Sequence, residues 1–145
     1  MQVQERTIRR SDMRKIASIL LIDDDDATNF INKLLINRLS ITNELLVAKN
    51  GKDALKLLED CASNKSLIPD LILLDINMPV LDGFGFLNAF QDMDCPGKED
   101  TLIAVLSTSL NPKDLERVQK AGVQVFLNKP LTKESLIDLV TTYMG

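Results

Sequence analysis

Two short apolar runs in this chain end in acid: Leu71-Ile72-Leu73-Leu74 leads into Asp75, and Ile19-Leu20-Leu21-Ile22 leads into Asp23-Asp24-Asp25-Asp26. Four apolar residues in succession suit a strand covered on both faces, as in a parallel sheet. The segment after Asp75, Ile76-Asn77-Met78-Pro79-Val80-Leu81-Asp82-Gly83, cannot continue the strand, because Pro79 lacks a donor and Gly83 permits a tight bend. Each run therefore delivers carboxylates to the place where a buried strand meets solvent. If the two strands are neighbours, each close pair of charges repels by roughly 4 kcal/mol at an effective dielectric near 20, and a cation is the usual remedy. The chain has no His and neither cysteine is near the acids, so all-oxygen ligation selects a hard ion, Mg²⁺ or alternatively Mn²⁺, over zinc.

Not every acid in the run needs that role. Asp25 and Asp26 read as a solvated turn in which one carboxylate accepts from the free N–H groups of the following helix. Asp23 and Asp24 are assigned to a site because Asp75 arrives independently at the same kind of strand end.

The elements that would position these acids follow from periodicity. Ala27, Phe30, Ile31, Leu34 and Leu35 recur at helical spacing, which predicts a helix from Ala27 to about Leu39 with that face buried. Glu44 to Ala48 reads as a strand, Asn50-Gly51 as a turn, and Ala54, Leu57, Leu58 and Cys61 as the stripe of a second helix. Pro69-Asp70 opens the strand to Asp75. Phe86, Leu87 and Phe90 share a face of a third helix, and Asp92 to Asp100 is a loop. Leu102 to Leu106 is a buried strand, and Asn111-Pro112 places a cap and a first-turn proline ahead of a helix that Gly122 stops. Val123 to Leu127 is a fifth strand, and Thr132 caps a last helix whose Leu136, Leu139, Val140 and Tyr143 share a face. Alternating strands and helices with right-handed crossovers imply an α/β fold, a doubly wound five-stranded parallel sheet with five helices. Ligands of such sheets bind at the carboxyl ends of the strands, where Ser107, Thr108 and Lys129 also lie.

At 145 residues the chain suits one cored domain. Residues 1–15, with Arg6, Arg9, Arg10, Arg14 and Lys15, read as a mobile basic leader, and residues 16–145 as the domain. With 45% apolar and 26% charged residues and a net charge of -4, binding to nucleic acid is disfavoured. No stretch has the length to span a bilayer, and Cys61 and Cys95 have no paired spacing. The expectation is a cytoplasmic protein without membrane attachment, a monomer or at most a weak homodimer. A chain ending at Gly145 leaves no room for an output domain, so a stand-alone module is expected.

Acids after the first strand, one acid after the third, a hydroxyl after the fourth and Lys129-Pro130 after the fifth make the chain resemble the receiver domain of response regulators, the chemotaxis-regulator-like modules of two-component signalling, over about Ile16 to Gly145. The resemblance implies a flavodoxin-like strand order 2-1-3-4-5. It implies that Asp75 is the phosphoacceptor, that Asp23, Asp24 and Asp75 hold Mg²⁺ with the backbone carbonyl of Asn77, and that Lys129 neutralises charge. Ser107 aligns with the switch hydroxyl and Phe126 with the aromatic switch position, while Asn77 and Ser109 flank the pocket and would set the phosphoryl lifetime. Ser107 stands where threonine is more frequent, and Phe126 lacks a tyrosine hydroxyl. The partners implied are a sensor histidine kinase or a histidine phosphotransfer protein, and an output partner met through the fourth helix, fifth strand and fifth helix.

An ionised Asp75 can attack the phosphorus of a phosphohistidine or a small acyl phosphate, a transfer that needs charge neutralisation more than covalent help. The protein is thereby expected to be a signalling protein that catalyses its own aspartyl phosphorylation and dephosphorylation. A new dianion at Asp75 would draw Ser107 inward and let Phe126 fill the vacated space. Moving such a switch from 1:99 to 99:1 takes about 5.5 kcal/mol of differential interaction. The competing readings are a phosphorelay intermediate, an interaction module that is never phosphorylated, and a Mg²⁺-dependent phosphatase of the haloacid-dehalogenase type. The last needs a second acid two residues after the nucleophile, where this chain has Asn77.

Overall fold

The computed structural model describes residues 16–63, 68–76, 83–94, 97–108, 112–123 and 125–144. The expectations for the leader at residues 1–15, for Asn77 and the turn through Asp82, and for Cys95, Ser109 and Asn111 fall outside them. The strands are β1 (Ile16–Ile22), β2 (Thr42–Ala48), β3 (Leu71–Asp75), β4 (Leu102–Ser107) and β5 (Val125–Asn128). They alternate with α1 (Asp26–Leu39), α2 (Gly51–Ser63), α3 (Gly83–Asp92), α4 (Pro112–Lys120) and α5 (Lys133–Leu139), the last continued by a π-helical stretch, Val140–Met144. All pairings are parallel and the sheet order is β2-β1-β3-β4-β5. The doubly wound architecture and the strand order expected from the sequence are both present. No described helix is long and apolar enough to cross a membrane.

β3 shows why the apolar runs read as they did. It is the central strand, and every one of its residues is buried, because helices cover both faces. Leu20, Ile22, Ile72, Leu74 and Val105 pack toward α2, α3 and α4. Ile19, Leu21, Leu71, Leu73 and Leu106 pack toward α1 and α5. Successive residues take opposite faces, as the two-residue period of a strand requires.

The buried face of α1 differs from the expected one. Phe30, Ile31 and Leu34 are exposed, at 63%, 60% and 44%, and the buried residues are Asn29, Asn32, Ile36 and Leu39. That set is itself a helical stripe with spacings of three, four and three. Apolarity alone missed it because its first two members are amides. Tyr143 also departs from the buried face of α5: it is 49% exposed while Leu136, Leu139 and Val140 are buried. The wider π-helical turn from Val140 breaks the 3.6-residue register that placed it there.

Two further local features support the strand ends. Gly83 does not serve a left-handed bend, since among the described residues the positive-φ glycines are Gly97 and Gly122. A Cβ on Gly83 would lie 2.6 Å from the Ile76 Cα, and the Gly83 N–H donates to the Ile76 carbonyl at 3.1 Å. The residue is small because the chain returns onto itself here. Lys98, in a 3₁₀ turn within the predicted loop, donates to the carbonyls of Phe90, Gln91 and Met93 at 3.2, 2.6 and 2.7 Å. A cation at that position adds donors to the carbonyls at and just beyond the end of α3, where the Phe90 carbonyl also accepts from the Met93 N–H at 3.2 Å, and complements the helix dipole.

Candidate functional site

Register determines which strand ends meet. Ile22 of β1 pairs with Leu74 of β3, so Asp23 and Asp75 are adjacent at the next position. Asp75 pairs with Leu106 of β4, and Ser107 pairs with Asn128 of β5, which puts Lys129 immediately beyond. The backbone ladder continues past the strands: Asp23 N–H donates to the Ala48 carbonyl at 3.1 Å, and Lys129 N–H to the Ser107 carbonyl at 2.9 Å. The site is thus an extension of the sheet's own hydrogen bonding at its carboxyl edge.

Carboxylate oxygens of Asp23, Asp24 and Asp75 all lie within 4.8 Å of one another. Asp23 and Asp75 are buried and Asp24 is exposed. The Lys129 ammonium donates to Asp23 Oδ2 at 2.9 Å and stands 3.3 Å from Asp75 Oδ1. Burial by itself would lower the Lys129 pKa, but the hydrogen bond and charge of Asp23, joined by those of Asp75, outweigh it and hold the ammonium above the ordinary lysine range. The structure therefore brings together four of the residues singled out in the sequence: Asp23, Asp24, Asp75 and Lys129.

The remaining acids of the run behave as capping and surface groups. Asp25 is the N-cap of α1 and accepts from the Thr28 N–H at 3.1 Å and from the Thr28 hydroxyl. These bonds hold its carboxyl below the usual carboxylate range. Asp26 pairs with Lys49 at 2.7 Å on the surface. The Asp25 N–H donates to Asp23 Oδ1 at 2.9 Å, so the cap and the buried acid form one turn.

Asn29 was absent from the sequence reading. Its Nδ2 donates to the Asp23 carbonyl at 2.8 Å, while its buried Oδ1 has no hydrogen-bond partner. This amide fixes the acidic turn from the helix below it. The available signal was its place three residues before Asn32 and seven before Ile36 on the buried stripe.

Ser107 is buried at the end of β4. Val105 lies opposite Phe126 and packs toward α4, and Ser107 shares Val105's parity, so both proposed switch residues belong to the face that carries α4. Phe126 is half-buried against that core.

Whether the acids suit Mg²⁺ can be judged from this geometry. Opposite ligands of an octahedral Mg²⁺ are about 4.2 Å apart, twice a bond of about 2.1 Å. Three carboxylate oxygens within 4.8 Å are close to that span and of the hard-oxygen type the ion takes. The residues fit the ion.

Comparison with known proteins gives a consistent picture. Residues 19–141 match the family model described as the response regulator receiver domain. The chain is 31% identical over 121 residues to the two-component response regulator 24 of Arabidopsis thaliana, covering 83% of this chain and 79% of that protein. It is 34% identical over 121 residues to the nitrate/nitrite response regulator NarL of Escherichia coli, covering 83% of this chain but 51% of that protein. It spans 7% of a Dictyostelium discoideum hybrid signal transduction histidine kinase at 28% identity. Among solved structures, a two-component response regulator from Cytophaga hutchinsonii superposes with a TM-score of 0.80 at 32% identity, covering 90% of this chain and 98% of that one.

Proposed function

This chain belongs to the response regulator receiver family of two-component systems, and from that premise we propose that it accepts a phosphoryl group on Asp75 and signals by a conformational change. The observation that carries the proposal is the meeting of three carboxylates from two neighbouring strand ends with one lysine from a third. A buried acid cluster of this kind costs stability unless it is neutralised, and an oxygen of Asp75 within it is suited to attack phosphorus.

Asp23, Asp24 and Asp75 are the side chains that would hold Mg²⁺, with the Asn77 carbonyl as the further ligand implied by the family pattern. Bound there, the ion would supply positive charge to the transferring phosphoryl oxygens. This chain's own residues do the rest. Asp75 Oδ forms the new P–O bond while the donor's bond to phosphorus breaks. Lys129, held protonated by its two acidic neighbours, moves its charge toward the added oxygens. Asp25 and Asn29 keep the acidic turn in place through its backbone. The Ser107 hydroxyl then donates to the phosphoryl group, and Phe126 follows on the same face, altering α4, β5 and α5 toward an output partner. Receiver domains interact with histidine kinases or phosphotransfer proteins. The exposed Phe30, Ile31 and Leu34 on α1, whose N-cap Asp25 adjoins the acids, supply an apolar docking face for such a phosphodonor.

The experiment is a phosphate-affinity gel after incubation with Mg²⁺ and a small acyl phosphate. Wild type is expected to show one shifted species and Asp75→Asn none. Equal labelling of the two would place the phosphoacceptor elsewhere, and labelling of neither would leave an interaction module.

A further inference from the structure

We propose that the cleft between α1 and the β5–α5 connection binds the aliphatic tail of an acyl phosphate, so that the protein prefers donors with longer acyl chains over acetyl phosphate. The inference rests on the phosphoacceptor reading of Asp75 and adds a substrate preference to it. The cleft has a volume of about 240 Å³ and is lined by Thr28, Ile31, Asn32, Leu106, Pro130 and Leu131, together with Thr108 and Lys129. That is roughly eight times the share of one water molecule in the liquid. Leu106 and Leu131 are buried members of the core toward α1 and α5, so the floor is apolar.

Charge identifies the occupant. Lys129 lines the cleft and also stands 2.9 Å from Asp23 and 3.3 Å from Asp75, so one side chain belongs to both the cleft and the acid site. A ligand that uses both must be anionic at one end and apolar at the other. An acyl phosphate with a short hydrocarbon chain has that form, and its reacting atom is at the anionic end. In the reaction an Asp75 carboxylate oxygen bonds to phosphorus, the bond from phosphorus to the acyl oxygen breaks, and the electron pair leaves on a fatty carboxylate. No proton or redox partner is needed, and the two negative charges of the phosphoryl group pass to the aspartyl phosphate. The departing carboxylate remains anionic beside Lys129.

The test compares acetyl, propanoyl and butanoyl phosphate at fixed Mg²⁺ and at concentrations well below saturation, measuring the second-order rate constant for labelling Asp75. The three leaving carboxylates have nearly equal basicity, so differences report the tail. Each added methylene is expected to raise the rate constant by up to about fourfold, the factor for burying one CH₂ group. In Ile31→Ser, a change at an exposed position that threatens the fold little, the butanoyl-to-acetyl ratio should fall toward one. A flat series in which acetyl phosphate still labels Asp75 overturns the tail site and leaves the phosphoacceptor reading standing. A rising series unchanged by Ile31→Ser overturns the cleft as its origin. Absence of Asp75 labelling by every donor overturns both readings.

Discussion

The Lys129 ammonium lies 2.9 Å from Asp23, closer than the 3.3 Å that separates it from Asp75. The lysine is therefore a positive charge shared by two buried acids. It directly follows the edge strand β5, whereas the two acids stand at the ends of β1 and β3.

Replacing Lys129 by Met removes that neutralisation but keeps much of the stem's packing. Breaking a fully buried pair typically costs about 3–5 kcal/mol. Lys129 retains some solvent contact, so a loss of about 1–3 kcal/mol is expected in urea unfolding without divalent ions. Added Mg²⁺ should then recover more stability in Lys129→Met than in wild type, because it is the variant's acids that lack a cation. Equal gains in the two proteins would show that the ion and the lysine do not share the same carboxylates.

The raised pKa of Lys129 also predicts a pH dependence. A group whose folded pKa exceeds its unfolded value contributes stability fully below the unfolded value and loses it as pH rises through the folded one. The ordinary value is 10.5 and the folded one lies above it. The contribution should therefore be intact at neutral pH and begin to fall only above about pH 10.5. Urea midpoints measured across that alkaline range should decline more steeply for wild type than for Lys129→Met; parallel curves would rule out the pairing as the cause.

The acids and their strands were legible because burial on both faces leaves an uninterrupted apolar run, and a run that ends in Asp has no packing explanation for the charge. The fold class followed from the alternation of such runs with helical stripes, and the strand order was supplied by the family resemblance. What stayed hidden was the orientation of α1. Phe30, Ile31 and Leu34 satisfy a helical period as well as the true stripe of Asn29, Asn32, Ile36 and Leu39 does. What distinguishes them is tertiary: Ile36 and Leu39 enter the core, and the Asp23 carbonyl takes a donor from Asn29, six residues away in sequence. The capping by Lys98 was hidden for the same kind of reason, since a lysine in a polar loop looks solvated until the carbonyl ends of α3 surround it.

Gly83 and Gly97 should respond differently to alanine. At Gly83 the added Cβ meets the Ile76 backbone at 2.6 Å, so the return of the chain after Asp75 must open. Overpacking of this kind costs about 1–3 kcal/mol, and because Ile76 directly follows Asp75, labelling by an acyl phosphate should slow by severalfold or more. At Gly97 nothing lies within 4 Å, and only its φ of +83° opposes a side chain. Gly97→Ala should lose some stability yet label at the wild-type rate. Equal labelling rates in the two variants would show that the Gly83 approach does not position Asp75.

The exposed apolar residues of α1 separate docking from chemistry. Phe30 and Leu34 lie on α1 outside both the acid cluster and the residues that line the cleft. Phe30 and Leu34 are exposed at 63% and 44%, so Phe30→Ser with Leu34→Ser removes only part of a side chain's burial at each site, and stability should fall by no more than about 1 kcal/mol per site. A small acyl phosphate touches neither residue and should label Asp75 in the double variant as it does in wild type. A phosphorylated histidine phosphotransfer domain must instead lay a protein surface across α1 to bring its phosphorus to Asp75, and apolar anchors at the centre of such a contact carry most of its energy. Transfer from that donor should therefore fall by roughly tenfold or more in second-order rate constant, equivalent to about 1.4 kcal/mol. A double variant slowed equally toward both donors would point to a disturbed site, and one slowed toward neither would move the docking face off α1.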